Sequence, residues 1–275
     1  MVRFDAYTAT TEALKPTDVL PWIVTSPGDR VRQGRGFHTF GERLWVEDES
    51  GDQVGAVQWG GRQGARIMIE VKGARTPEVV DRLRSAAEHR CTRVDACADF
   101  DVPGAFEALL GSVERVTRSH RLYAQRLGDW EGHPELGRTY MVGAPSSPIR
   151  ARLYEKGKQP EYRHLARDHW CRLELQVRPQ KEAKTEFARL SPLEVWGASK
   201  WTRELALEVL REHLDPHPPG TVRKQTEREA ALRWMCRFYG AHLVSLAADL
   251  GGWEVLGLTL REMISEEQRR RKRAH

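Results

Sequence analysis

"RVDACADFD", residues 93–101, decides the fold. Successive side chains of a β-strand point to opposite faces, so residues two apart share a face. Val94, Ala96, Ala98 and Phe100 then make an apolar face, and Arg93, Asp95, Cys97, Asp99 and Asp101 make the other. Aspartate is disfavoured in strands, so its repetition on one face asks for a reason beyond packing. Two later stretches are built the same way. In "RARLYEKG" (150–157) Ala151 and Leu153 point inward while Arg150, Arg152, Tyr154 and Lys156 point out. In "CRLELQVR" (171–178) Cys171, Leu173, Leu175 and Val177 are apolar, whereas Arg172, Glu174, Gln176 and Arg178 are not. As neighbours in one antiparallel sheet, these strands bring Asp95, Asp99, Glu174 and Tyr154 together on its open side. A plain solvated sheet face is the competing reading of any one strand alone.

The pattern continues outward from these strands. Residues 1–36 read as irregular and rich in turn formers. From Gly36 the chain reads as a meander, "GFHTFGERLWVE", "VGAVQWGG" and "ARIMIEVKG", broken by the glycine-rich turns "GDQVG" and "GGRQG". "TPEVVDRLRSAAEH" predicts a helix with Thr76 as N-cap and Pro77 at its first position. A second helix, "AFEALLGSVERV", follows the 93–101 strand, and "HRLYAQRLG" and "GRTYMVG" add two more strands. Beyond Pro179 the periodicity turns helical, through "TRELALEVLREHL", "REAALRWMCRFYGAHL" and "LREMISEEQRRRKR", with "DPHPPG" (215–220) as a linker candidate. The expectation is an α+β fold: a central antiparallel sheet domain over 1–182 and a helical C-terminal region over 183–275. In the latter, Leu232, Met235, Leu243, Trp196, Trp201 and Trp234 are expected core residues, and the segment serves as a candidate for DNA binding or dimerisation.

Composition narrows the function classes. A net charge of +5 permits a nucleic-acid partner without demanding one. The excess is uneven, and "RRRKRAH" (269–275) is a cationic block, read equally as a solvated helix end or a DNA contact. No apolar run approaches the roughly 18 residues that span a bilayer, so no membrane partner is expected. Cys91, Cys97, Cys171 and Cys236 form no CxxC pair, which argues against a zinc site or disulfide framework and fits a reducing cytoplasm.

Carboxylates and a phenol among cations suit metal-assisted phosphoryl transfer. Carboxylates from adjacent strands supply oxygen ligands for Mg²⁺ or Mn²⁺, which polarises a phosphodiester while arginines take up developing charge. The phenol supplies the nucleophile. Its ordinary pKa is near 10, so about one part in a thousand is ionised at neutral pH. Arg152 and Lys156 are expected to lower that pKa. No organic cofactor is implied.

"RVDACADFD", "GRTYMVGAPSS", "RARLYEKGKQ" and "WCRLELQVR", in this order, resemble the signature series of the replication initiation factor family. These are the Rep-trans type rolling-circle initiators of small plasmids and filamentous phages, with related conjugative-element nickases. "AVQWGGRQGARIMIEVKGAR" resembles that family's N-terminal hairpin and strand, so the likeness covers roughly residues 36–180. It implies a sheet that is a degenerate relative of the rolling-circle nickase palm, without the two-histidine ligand motif; none of the ten histidines here forms such a pair. It further implies Tyr154 as the nicking tyrosine and Asp95, Asp99 and Glu174 as metal-associated acids. Arg93, Arg152, Lys156, Lys158 and Arg172 would contact DNA phosphate. The partners implied are an origin hairpin with single-stranded and duplex DNA, a second copy of the chain, and a host helicase. One departure is "GAPSSP" (143–148), with two prolines where the family commonly has a glycine-serine turn.

Other readings stay open at this point. Tyr123, Tyr140 and Tyr162 are rival nucleophiles, and His120, His164 and His169 are rival proton carriers or plain surface residues. A conjugative relaxase would run the same chemistry on a transfer origin, and a non-catalytic DNA-binding replication-control protein could keep the same fold.

Overall fold

The computed structural model describes residues 1–220 and 227–273, without the side chains at 134, 227–231, 233–234, 267–268 and 271–273. The expectations for Trp234 and for the tail from residue 271 onward lie outside the described residues. Ten strands occur among them: β1 (Val2–Thr11), β2 (Arg30–Arg35), β3 (Glu42–Glu47), β4 (Gln53–Trp59), β5 (Ile67–Lys72), β6 (Arg90–Asp101), β7 (Ala124–Leu127), β8 (Thr139–Val142), β9 (Ile149–Tyr154) and β10 (Trp170–Val177). They form one antiparallel sheet in the order β2-β3-β4-β5-β1-β6-β10-β9-β8-β7. The fold is α+β, and β6, β10 and β9 are contiguous within the sheet.

The expectation of an irregular N-terminus is corrected. Residues 1–36 hold β1, α1 (Pro16–Ile23) and β2, and β1 lies mid-sheet between β5 and β6. Its alternation was hidden by a β-bulge. Pairing with β6 slips between Phe4 and Ala6, which leaves Asp5 as the extra residue. A bulge re-aims the side chains beside it, so Phe4 falls out of phase with Tyr7 and Ala9. Thr76, wholly buried at the start of α2 (Thr76–Ala86), donates its hydroxyl to the Asp5 carbonyl at 3.1 Å. Thr76 is thus the first residue of the helix, with Arg75 in the capping position and Pro77 in the first turn.

The core lies on one face of the sheet. Val46, Val57, Ile69, Tyr7, Val94, Leu173 and Leu153 pack there with Ile23 of α1, Val80 of α2 and Val113 of α3 (Ala105–Ser119). Helix α4 (Ala183–Phe187) and the turn Glu194–Ala198 add Phe187 and Trp196, and α5 (Lys200–Leu205) packs on α3. Burying each such large side chain stabilises the fold by roughly 1.5–3 kcal/mol. The residues on the other side of the strands are the ionisable ones.

The chain divides into two compact units, Met1–Thr221 and Val222–His275. The boundary expected at 182/183 falls inside the first unit, because Phe187, Trp196, Trp201 and Leu205 belong to the sheet's own core. The proline-rich stretch also belongs there: Gln180 N–H donates to the Pro219 carbonyl at 2.7 Å, and His217 N–H to that of Gly197 at 2.8 Å.

The second unit holds α6 (Glu227–Asp249) and α7 (Trp253–Arg273), joined through Gly251 and Gly252, both at positive φ. Within it Ala247 and Leu256 are buried. Leu232 and Met235, expected in a core, are exposed, and Leu243 is half-buried. Apolar residues recur all round α6, so its spacing marks no single buried face. Among the described residues no single helix is long and apolar enough to cross a membrane.

Candidate active site

Strand register sets the geometry of the ionisable face. Residues in register point the same way, and two rows cross β6, β10 and β9. Asp99 lies opposite Arg172, which lies opposite Tyr154; Cys97 lies opposite Glu174, which lies opposite Arg152. The expected convergence is therefore present, but the side chains that meet are acids with bases. Arg172 holds Asp99 with two bonds, 2.6 Å and 2.8 Å, and reaches the bulge residue Asp5 at 2.5 Å. Arg152 holds Glu174 with two bonds, 3.0 Å and 2.9 Å. Arg93 pairs with Asp95 on its own strand. Asp99 also accepts from Trp170 Nε1 at 2.9 Å and from Arg3 at 3.0 Å.

This arrangement bears on the expected metal ligands. Asp95, Asp99 and Glu174 each spend their oxygens on a different guanidinium, and among the described residues no three His, Cys, Asp or Glu side chains come together as a ligand group. The donor set so arranged does not fit a divalent ion.

Tyr154 sits at the end of β9, 3% exposed, and its hydroxyl donates to Glu174 Oε2 at 3.4 Å. The cations do not lower its pKa as expected. Burial, and next the Glu174 charge, push the phenol well above its ordinary value, and Arg152 and Arg172 pull against them with less effect. Burial likewise raises the Glu174 carboxyl against the pull of Arg152. Asp99 resists its burial and is held down to about 2 by Arg172, Trp170 and Arg3. Lys156, 6% exposed, follows Tyr154 on a short turn, with its ammonium 4.3 Å from the ring centre of Tyr162, 5.4 Å from that of Trp170 and 5.9 Å from that of Tyr154. Burial, and then Arg172, lower its pKa.

These groups open onto a cleft of about 730 Å³ lined by Asp5, Lys72, Arg93, Arg152, Tyr154, Lys156 and Tyr162, among others. Arg93 and Arg152 also line a smaller adjoining hollow with Arg150, whose Nε is buried without a partner. Two expected phosphate contacts do not line this cleft. Arg172 is 1% exposed and acts as a strut between Asp99 and Asp5. Lys158 binds Glu155 at 2.8 Å and lines a different hollow with Arg138 and His169.

Of the rival tyrosines, Tyr140 is buried in the core on the helical face and Tyr123 is exposed beside the edge strand β7. Tyr162, the third rival, shares the cleft with Tyr154. His120 is engaged with Glu204 at 2.7 Å, and neither His164 nor His169 lines the cleft. Asp5 and Trp170 are site residues that the sequence reading missed, and Tyr162 was named only as a rival nucleophile. A bulge hid the first, and the second lies at the very start of its strand.

No family model matches the chain, and no curated protein does. A solved structure described as "Structure of Rolling Circle Replication Initiator Protein from Geobacillus stearothermophilus" aligns with 72% of this chain and 83% of its own, at 20% sequence identity and a TM-score of 0.48.

Proposed function

We propose that the protein initiates rolling-circle DNA replication by cutting and rejoining one strand at an origin, with Tyr154 as nucleophile. The observation that carries this is a tyrosine hydroxyl bonded to a buried carboxylate inside a cleft walled by Arg93, Arg152 and Lys156. The lining balances Lys72, Arg75, Arg93, Arg152 and Lys156 against Asp5, Asp48, Asp52, Asp95 and Glu161, so in this reading the cations next to Tyr154, and not a net positive field, receive the phosphate. The raised phenol pKa means that attack needs a base, and Glu174 is in place with a carboxylate made more basic by burial. As the bond from the Tyr154 oxygen to phosphorus forms, the phenol proton passes to Glu174 and the bond from phosphorus to the 3′-oxygen breaks. The leaving oxygen takes a proton from water. Arg152, Arg93 and Lys156 meet the charge that builds on the phosphoryl oxygens.

The product is a 5′-phosphotyrosine and a free 3′-hydroxyl that primes synthesis. Rejoining reverses each step, and Glu174 returns the proton. Asp99 and Asp5 keep Arg172 in place beneath the tyrosine, so these carboxylates position guanidinium groups. A second copy of the chain and a host helicase as partners, and a cytoplasmic setting, belong to the same proposal.

The test is a nicking assay on supercoiled and single-stranded DNA carrying the origin of the parent replicon, scored by protein covalently bound to labelled DNA. Wild type is compared with Tyr154→Phe in chelator and in Mg²⁺ or Mn²⁺. An adduct lost in Tyr154→Phe supports the proposal, and the two ionic conditions separate a guanidinium-only site from a metal-assisted one. No adduct from wild type in either condition overturns it in favour of a non-catalytic DNA-binding protein.

A further inference from the structure

We infer that the β2–β3 hairpin is a docking site for an unpaired DNA base, with Phe37 as the stacking platform. This rests on the proposed function and names a contact with the same DNA far from the reacting phosphate. The connecting loop "GFHTFG" (36–41) holds two phenylalanines with opposite fates: Phe40 is buried, whereas Phe37 is 56% exposed. Between them His38 (φ 52°) and Thr39 (φ 72°) both lie in the left-handed region. Side chains with a Cβ rarely enter that region, and two in succession persist only where the surroundings enforce them.

The surroundings do so here. Gln63 Nε2 donates to the His38 carbonyl at 3.1 Å and to Thr39 Oγ1 at 2.8 Å, and the Arg62 N–H donates to the Thr39 carbonyl at 3.0 Å. A Cβ on Gly61 would stand 2.5 Å from that carbonyl, so only glycine allows the approach.

Phe37 is also braced from behind. The Arg43 guanidinium lies 5.0 Å from the ring centre of Phe37 and 5.0 Å from that of Trp45, in cation–π range of both. The Phe37 N–H is fixed on Gln58 Oε1 at 2.6 Å. Arg43 Nε and Gln58 Nε2 are buried with no acceptor, a state that native folds seldom leave without a purpose. A ring held in place from behind and exposed on its outer side is suited to receive another flat ring.

The surrounding charge selects the occupant. Arg30, Arg35 and Arg62 have no salt bridge among the described residues, while Arg32 is paired with Glu47 and Arg66 with Glu12. Arg30 and Arg35 face Glu47 and Glu42 across the β2–β3 pair, yet around the loop Arg30, Arg32, Arg35, Arg43, Arg62 and Arg66 still outnumber Glu12, Glu42 and Glu47, an excess that a neutral apolar partner would not use. A single strand of DNA offers both a base to stack and phosphates to pair. Register through β4, β5 and β1 places Arg43 and Trp45 on the same face of the sheet as Tyr154. Strand β3 is six positions from β9, about 29 Å at the usual strand spacing. That is on the order of eight base steps of duplex rise, so the stacked base lies well away from the cut.

The experiment measures affinity of the full chain for a labelled oligothymidine of about 20 nucleotides, longer than one site, and for an abasic strand of the same length. Phe37→Ala should weaken oligothymidine binding about 5- to 150-fold, leave abasic binding unchanged, and be rescued by Phe37→Trp. Equal loss on both strands would make Phe37 a loop support, and no loss on either would remove it from binding; each outcome overturns the inference. If wild type binds and forms its Tyr154 adduct, such a failure leaves the nicking proposal standing. If wild type binds neither strand, both proposals fall.

Discussion

The centre and the wing of one sheet face use the same residue types in opposite ways. At β6, β10 and β9 each carboxylate meets a guanidinium, and Tyr154 is almost closed off. At β2 and β3 the cations outnumber the acids, with Arg30 and Arg32 of this face sharing the single Glu47, and the aromatic ring projects. Paired charges in a low-dielectric site hold a geometry and resist relaxation. Unpaired cations on a surface gain their energy only when a polyanion releases its counterions. The centre is therefore suited to positioning and the wing to affinity.

Variants at the two ends should separate these roles. The largest effect is expected from Tyr154→Phe, which removes one oxygen. Adduct formation should fall by at least about a thousandfold, while affinity for single-stranded DNA holds. A parallel fall in affinity would merge the two regions into one. Glu174→Gln should slow adduct formation by about 10²–10⁴-fold without moving the adduct. It should also ease ionisation of Tyr154, because the carboxylate charge helps to hold the phenol pKa up. For wild type, cleavage should fade as acid protonates Glu174, starting above the ordinary carboxylate range because burial raises that group.

The Phe37 variants come next in size and touch affinity alone. Replacing Arg30 and Arg62 by alanine should reduce the salt dependence of single-strand binding by about 0.7 in log–log slope for each phosphate left without its cation, with the cleavage rate of bound DNA unchanged. The smallest effect concerns folding. Asp99 is held at about 2 in the folded chain against an ordinary 3.8. A depressed carboxylate contributes stability that is present above its unfolded pKa and lost as pH falls toward its folded value. Stability should therefore drop between about pH 4 and pH 2, and Asp99→Asn should flatten that limb in denaturant titrations.

Legibility in the sequence followed regularity. β9, β10 and β6 from Arg93 onward alternate without interruption, so their faces could be read from residue types alone, whereas their adjacency was a supposition that the sheet order bears out. β1 could not, because the bulge at Asp5 shifts the period within a single strand. Tyr154 and its neighbours were identifiable, but how the acids are used was not. Spacing shows that Asp99, Glu174 and Tyr154 share a face, whereas cross-strand register decides that Asp99 faces Arg172 and Glu174 faces Arg152. The expected fall in the Tyr154 pKa failed for the same reason, since burial and the register partner of Arg152 outweigh the cations. Phe37 carried no signal, because exposure and a strained loop leave no periodic trace.

The most direct test of the central claim is peptide mapping of the covalent DNA adduct formed by wild type. Trypsin separates the two tyrosines of the cleft, "LYEK" (153–156) from the peptide that holds Tyr162. Nucleotide mass on "LYEK" is the expected result. Nucleotide mass on the Tyr162 peptide, or on any other tyrosine, would contradict the assignment of Tyr154 and the role of Glu174 with it.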